Sequence, residues 1–196
     1  MLDPFVDEAH GDIAVDVGRK RPPFHPHISA PRLKEVLEGL GHQTDKLEFF
    51  ITVRHPVEIL TSYYKFFKPD KHGRYKYSPL WKGKIGMPFE DWVLTGRLRT
   101  NWDRRRLAPE FISTSNLSPL SFEAFAQNRD GTLAVGRVFK IEDMRELVEW
   151  LEDRIGTQIP ERHINMSKNI PIPHLNSSTL EKIRNMFPYE SDLYSI

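Results

Sequence analysis

Cysteine is absent from this chain of 196 residues. Its absence excludes disulfide bonds, thiolate metal sites and a cysteine nucleophile, and it leaves the redox compartment undetermined. The chain also lacks both standard phosphate-cradling loops, G-x-x-x-x-G-K-[ST] and G-x-G-x-x-G. The catalytic patterns G-x-S-x-G and H-E-x-x-H are missing as well. Any site for an anion or for catalysis must therefore be built in another way.

Long hydrophobic runs are absent too. No apolar run approaches the ~18 residues that a membrane-spanning helix requires. The N-terminus is acidic and lacks the basic-then-apolar pattern of a signal peptide. We therefore expect a cytoplasmic protein with no membrane span.

Charge of one sign is not in excess, because the formal net charge is +1. This balance gives no reason to expect a nucleic-acid partner, and an anion site would have to be local. The length suits a single domain over residues 1–196. Residues 1–11 give no clear structural signal, and we expect them to be disordered.

The most informative stretch is 49–67, FFITVRHPVEILTSYYKFF. It begins as a continuous apolar run, changes at Arg54-His55-Pro56 and continues with helical spacing, which predicts a buried strand, a tight turn and a helix. Further strands are predicted at 12–17 and 134–141. Because strands alternate with helices, we expect an α/β fold with a mainly parallel sheet. Three strands are few for a doubly wound sheet, which indicates that one strand is missing from the chain.

Arg54 and Ser62 are the strongest candidates for a ligand site. Arg54 lies where the strand ends, and Ser62 lies eight residues further on, about two turns into the helix. Ligands of open α/β sheets collect outside the carboxyl ends of strands. A guanidinium fork with one added hydroxyl suits a phosphate. The alternative is that Arg54 forms a surface ion pair and that Ser62 is an ordinary helix residue.

Two histidines, His25 and His27, lie on a proline-stiffened loop. Such a residue can take a proton from a hydroxyl group, and an H-x-H pair can also bind a metal. No third ligand stands at a supporting spacing, so we expect no metal. The alternative is a pair of loop histidines with no role.

Two polar segments are further candidates. Residues 68–86 interleave basic and aromatic side chains, among them Tyr75, Lys76 and Trp81, which suits an anionic or sugar-like partner. Ser167 and Lys168 belong to a polar loop that could close over a nucleotide. The alternatives are a solvated loop whose aromatic rings pack onto the sheet, and an ordinary connection.

The segment VRHPVEILTSYY resembles the 3′-phosphate-binding motif of the sulfotransferase family, V-R-[DN]-P-x-x-R-x-x-S-x-Y. The matching positions are Arg54, Pro56, Ser62 and Tyr64. His55 stands where Asp or Asn is usual, and Ile59 stands where a second arginine is common. The segments HPHISAPRLKEVL, VFKIEDMRELVEWLEDRIG, HINMSKN and LEKIRNMFPYESDLY resemble parts of the Golgi-type carbohydrate 2-O-sulfotransferases and their relatives. The resemblance covers about residues 24–196, with 70–120 poorly constrained.

The resemblance implies a P-loop-like, three-layer α/β fold that binds 3′-phosphoadenosine 5′-phosphosulfate as co-substrate, without a metal. It implies that Arg54 and Ser62 hold the 3′-phosphate and that His27 or His25 is the catalytic base. Ser167 and Lys168 would cap the nucleotide. Acceptor contacts would come from Tyr75, Lys76 and Trp81. The implied acceptor is a hydroxylated carbohydrate or small molecule.

One part of the family pattern is missing. Family members open with a strand, a loop resembling P-K-x-G-[TS]-[TS] and a helix, and that loop holds the 5′-phosphosulfate. No such loop precedes His25, so we expect a truncated or divergent member with impaired activity. The alternatives are a non-catalytic nucleotide- or glycan-binding module of sulfotransferase descent and a nucleotide-binding transferase unrelated to sulfate.

Overall fold

A computed structural model describes residues 28–67, 87–95, 110–160 and 174–196 of the chain. The described elements are α1 (Ala30–Gly39), β1 (Phe50–Val53), α2 (Pro56–Phe67), α3 (Phe89–Leu94), α4 (Glu110–Ser113), α5 (Phe122–Ala126), β2 (Arg137–Lys140), α6 (Met144–Ile155), α7 (Ser177–Met186) and α8 (Pro188–Tyr194). Short 3₁₀ turns lie at Thr44–Lys46 and Ile141–Asp143. The strand predicted at 12–17 and the disorder predicted for 1–11 lie outside the described residues.

The described strands form a two-stranded parallel sheet, as the alternation of strands and helices predicts. Phe50 lies opposite Arg137, and Val53 lies opposite Lys140. The strand, turn and helix predicted for 49–67 are confirmed by β1 and α2. Because the strands run in the same direction and end in register, the residues that follow them meet at one edge of the sheet.

Helices pack on both faces of the sheet. On one face, the Trp150 ring of α6 contacts the rings of Phe50 and Phe139, with centroids 5.2 and 5.3 Å away. On the other face, Val53 packs in a buried cluster with Phe122 of α5 and neighbouring side chains of α8. The expectation of a buried strand is wrong for most of β1: Val53 is buried, Ile51 is half-buried, and Phe50 and Thr52 are exposed. In a sheet of two described strands, one helix covers the outer part of β1 only in part.

The larger core lies away from the sheet, where α2, α3 and α7 meet. Its fully buried members include Leu60, Val93, Ile183 and Phe187. Each such side chain contributes about 1.5–3 kcal/mol when it leaves water. The apolar side of α2 therefore fixes this helix firmly, and with it the turn that joins it to β1.

In the sequence, the apolar residues Met144, Leu147, Val148, Leu151 and Ile155 fall on one helical face, which predicts an amphipathic helix over 142–155. Helix α6 agrees closely with this prediction. It ends at Gly156, which adopts the left-handed conformation with φ of +64°. Only part of the predicted apolar face is buried. Leu147 is 5% exposed, but Met144 and Ile155 are 42% and 36% exposed. These two lie at the ends of the helix, beyond the four-residue strands on which it packs.

The sequence predicts a last helix over 178–187 followed by a tail, so helix α8 was not expected. Two long-range hydrogen bonds fix its start. The backbone N–H of Tyr189 donates to Glu123 of α5 at 3.0 Å, and the backbone N–H of Phe122 donates to Glu190 of α8 at 2.7 Å. The Phe122 and Tyr189 rings stack with centroids 3.7 Å apart. Each helix thus receives its N-terminal acceptor from the first turn of the other.

A search of the described helices finds none with the length and apolar character needed to cross a membrane.

Candidate functional site

The candidate site lies at the carboxyl edge of the sheet. Arg54 and His55 follow β1 directly, and Glu142 follows β2 by two residues. Tyr194, at the end of α8, reaches the same edge, where its ring contacts that of His55 at 5.2 Å. Segments far apart in sequence therefore bring a cation, an imidazole, a carboxylate and a phenol together.

Arg54 is held by an ion pair at this edge. Its Nε donates to Oε2 of Glu58 at 2.7 Å, and the two side chains are 34% and 29% exposed. The partners are four residues apart, the spacing at which side chains meet on a helix surface. Among the described residues, the terminal nitrogens of Arg54 make no hydrogen bond. The guanidinium therefore keeps a pair of donors for a further anion.

Ser62 lies on α2, four residues beyond Glu58, so helical spacing places it on the same side of the helix. It is exposed and makes no hydrogen bond within the described part of the chain. Arg54, two residues before α2, contacts Glu58 in the first turn of the helix, and Ser62 follows Glu58 by one turn. Along the chain, the two residues predicted to bind phosphate are thus separated by a carboxylate that was not expected from the sequence.

His55 caps the N-terminus of α2. Its Nδ1 accepts the backbone N–H of Val57 at 3.3 Å, and its carbonyl accepts the N–H groups of Glu58 and Ile59. Because Nδ1 is an acceptor, the proton of the neutral ring lies on Nε2. Asp and Asn cap helices through a side-chain oxygen. His55 performs the same task with a ring nitrogen.

Partial burial at this edge lowers the pKa of His55, against the opposite effect of the Glu58 and Glu142 carboxylates. A neutral imidazole suits the capping role, because protonation of Nδ1 would convert the acceptor into a donor. The local environment therefore favours the form of His55 that keeps α2 capped.

Glu142 and Tyr194 connect the ends of the two strands. The Tyr194 hydroxyl donates to the Glu142 carboxylate and also lies 3.3 Å from the Val53 carbonyl oxygen. Glu142 accepts the backbone N–H of His55 at 3.4 Å. Burial, followed by the effect of Glu142, raises the pKa of Tyr194, so the phenol remains a proton donor at neutral pH.

Sequence reasoning missed Glu142 and Tyr194 as members of this site. Pro188 at the first position of α8 is a helix-start signal that could have located the last helix. No local pattern, however, indicates that this helix ends against β1.

Lys140 completes the cluster. Its Nζ donates to the Leu193 carbonyl oxygen at 3.2 Å and lies 4.8 Å from the centroid of the Tyr194 ring. Two cations, Arg54 and Lys140, are thus balanced by the carboxylates Glu58 and Glu142. The edge is rich in hydrogen-bond donors but carries no net excess of positive charge.

The other predicted site residues lie outside the described residues. They are His25, His27, Tyr75, Lys76, Trp81, Ser167 and Lys168. Their roles remain predictions. Among the side chains that the structure describes, no group of three or more His, Asp or Glu is arranged to hold a metal ion.

A scan against protein-family models, a search of curated proteins and a search of solved structures each return no match to this chain.

Proposed function

We propose that the chain is a sulfotransferase-like protein that binds 3′-phosphoadenosine 5′-phosphosulfate, with Arg54 as the main contact of the 3′-phosphate. The observation that carries this proposal is the position of Arg54 at the carboxyl edge of a parallel sheet, where a strand passes into a helix. Ligands of α/β proteins collect at such edges. An arginine pairs with phosphate through two parallel N–H donors.

The donors around Arg54 fit a phosphate. Its terminal nitrogens are unpaired among the described residues, and Ser62 is exposed one helical turn beyond Glu58, the residue that contacts Arg54. Phosphate has several acceptor oxygens, so it can accept from the guanidinium and from the hydroxyl together. The ends of α2 and β1 are fixed by the buried core, which favours a preformed arrangement of these donors.

The P-loop-like, three-layer architecture is part of the same proposal. Its support is the parallel pairing of β1 with β2 and the packing of α6 on one face of the sheet and of α5 and α8 on the other. These features are compatible with a helix–sheet–helix arrangement.

The proposed reaction moves the sulfuryl group of the co-substrate to a hydroxyl of a carbohydrate or small-molecule acceptor. The acceptor oxygen forms a bond to sulfur, the bond from sulfur to the phosphate oxygen breaks, and His27 or His25 takes the acceptor proton. A positioned general base adds ~10²–10⁴-fold to such a step. Ser167 and Lys168 are proposed to cap the nucleotide, and Tyr75, Lys76 and Trp81 to contact the acceptor.

Calorimetric titration with adenosine 3′,5′-bisphosphate tests the binding half of the proposal. Arg54→Ala should weaken binding about tenfold or more, because a hydrogen bond to a charged group contributes ~1.5–3 kcal/mol. Arg145→Ala is a matched control, since Arg145 of α6 pairs with Glu149 at the same spacing and the same 2.7 Å distance. Absence of binding, or equal binding by the Arg54 variant, would contradict the proposal.

Transfer of labelled sulfate from the co-substrate to a panel of hydroxylated acceptors tests the catalytic half. We expect transfer that His27→Ala or His25→Ala abolishes while binding of the bisphosphate persists. Binding without transfer to any acceptor would instead identify a non-catalytic nucleotide-binding module.

A further inference from the structure

Glu58 occupies a donor of the arginine that the proposed function assigns to phosphate. Its Oε2 lies 2.7 Å from Nε of Arg54, and both side chains are about two-thirds buried. We propose that Glu58 is a built-in competitor of the ligand: it holds Arg54 in the free protein, and the incoming phosphate displaces it. This inference rests on the proposed function and concerns the regulation of the same site.

The Glu58 carboxylate lies where an anion would approach Arg54. Arg54 precedes α2 by two residues, Glu58 lies in the first turn of that helix, and Ser62 follows Glu58 by one turn. Because the Glu58 carboxylate is already 2.7 Å from Nε of Arg54, a phosphate that binds the guanidinium comes close to a second anion and is repelled by it.

Of the two carboxylates at the site, Glu58 is the one that competes with the ligand for Arg54. The second carboxylate of the site, Glu142, is engaged by the Tyr194 hydroxyl and by the backbone N–H of His55. Glu142 is therefore satisfied without Arg54 and has no contact that the ligand must break. Among the described residues, Glu58 is the carboxylate paired with the arginine, and its charge is therefore the one that competes with a phosphate at the terminal nitrogens.

Displacement of Glu58 from Arg54 requires little free energy. A partly exposed ion pair contributes little to stability, and the freed carboxylate can turn into water. Glu58 also lies in the first turn of α2, where the helix dipole favours a negative charge in the absence of Arg54. The Arg54–Glu58 ion pair therefore lowers the affinity for phosphate, but an incoming phosphate can replace it.

Calorimetric titration with adenosine 3′,5′-bisphosphate tests the proposal on the full chain. Glu58→Gln removes the competing charge and should tighten binding about two- to fivefold, the range that a partly exposed ion pair can account for. Glu58→Asp keeps the charge but shortens the side chain, so its affinity should fall between those of Glu58→Gln and the wild type.

The control is Glu149→Gln, which removes a carboxylate from the Arg145–Glu149 pair of α6 at the same spacing and distance. It makes the same change in net charge and should leave the affinity unchanged. Thermal unfolding of every variant checks that the fold is retained.

The outcomes separate the two proposals. If the wild type binds through Arg54 and Glu58→Gln binds equally well or more weakly, the competitor role is wrong and the proposed function stands. If Glu149→Gln tightens binding as much as Glu58→Gln, the effect is one of net charge and the competitor role is again wrong. If no variant binds the bisphosphate, the proposed function fails and the competitor role fails with it.

Discussion

His55 caps the N-terminus of α2 with a ring nitrogen instead of a side-chain oxygen. Its Nδ1 accepts the Val57 N–H that an Asp or Asn oxygen would otherwise accept. The position therefore requires an acceptor at the start of α2 rather than a particular residue type. The orientation of Arg54 depends on the same turn, so the cap and the proposed phosphate contact are structurally linked.

We expect His55→Asn to keep the stability of the wild type within ~0.5 kcal/mol, because the amide oxygen restores the cap, whereas His55→Ala should lose about 1 kcal/mol. Urea unfolding at pH 8 measures both changes. Because the folded-state pKa of His55 lies below its unfolded value of 6.5, its contribution to stability is present above pH 6.5 and decreases as the pH falls. Equal stability of the Asn and Ala variants would contradict the capping role.

Glu190 is a buried carboxylate whose titration changes stability with pH in the direction opposite to that of His55. Burial, with a further contribution from nearby Glu123, raises its pKa from the ordinary 4.5 to about 7. The second oxygens of Glu123 and Glu190 have no hydrogen-bond partner among the described residues. The environment therefore favours a proton on Glu190, even though its first oxygen accepts a hydrogen bond at a helix N-terminus.

The folded state binds this proton more tightly than the unfolded state, so stability should be highest below pH 4.5 and fall as the pH rises to about 7. Glu190→Gln mimics the protonated acid and keeps an acceptor for the Phe122 N–H. The variant should lose this decrease and exceed the wild type by roughly 2–3 kcal/mol at pH 8. Unfolding in urea from pH 4 to pH 8 measures the effect. The same dependence of the free energy of unfolding on pH in both proteins would contradict it.

At the scale of elements, two glycines at helix ends should respond in opposite ways to the same substitution. Gly156 terminates α6 with φ of +64°, whereas Gly39 is the last residue of α1 and has no positive φ. A Cβ at either position meets nothing within 4 Å. Any difference between them is therefore due to the backbone and not to packing.

Gly156→Ala should cost about 1 kcal/mol, because an L-residue is disfavoured in the left-handed conformation. Gly39→Ala should stabilise the chain by about 0.4–1 kcal/mol, since alanine lowers the entropy of the unfolded state. Urea unfolding of the two variants measures the difference. The same sign of change at both positions would contradict the backbone conformations described for these helix ends.

Local patterns predict the elements whose determinants are local. The apolar run followed by Pro56 predicts β1 and α2, and the periodicity after Glu142 predicts α6. Local patterns do not predict helix α8, because one of its N-terminal hydrogen-bond acceptors comes from Glu123, 66 residues before Tyr189. A helix stabilised by a distant carboxylate and by ring stacking has only a weak sequence signal of its own.

For the whole molecule, the sequence predicts the arginine of the candidate site but not its surroundings. Arg54 can be predicted as a site residue because it lies after an apolar strand and before a helix. The spacing to Glu58 could have indicated the ion pair, since i,i+4 pairs of opposite charge commonly meet. The contacts of Tyr194 with Glu142 and with Val53 join residues 52 and 141 positions apart in the chain, and no periodicity encodes them.

The key contact of the proposed function is that of Arg54 with the 3′-phosphate of a nucleotide. Its most direct test compares the affinities of the wild type and Arg54→Ala for adenosine 3′,5′-bisphosphate and for adenosine 5′-monophosphate, which lacks the 3′-phosphate. We predict that the substitution weakens binding of the bisphosphate about tenfold or more and leaves that of the monophosphate nearly unchanged. An equal loss for both ligands, or no loss for either, would contradict the claim.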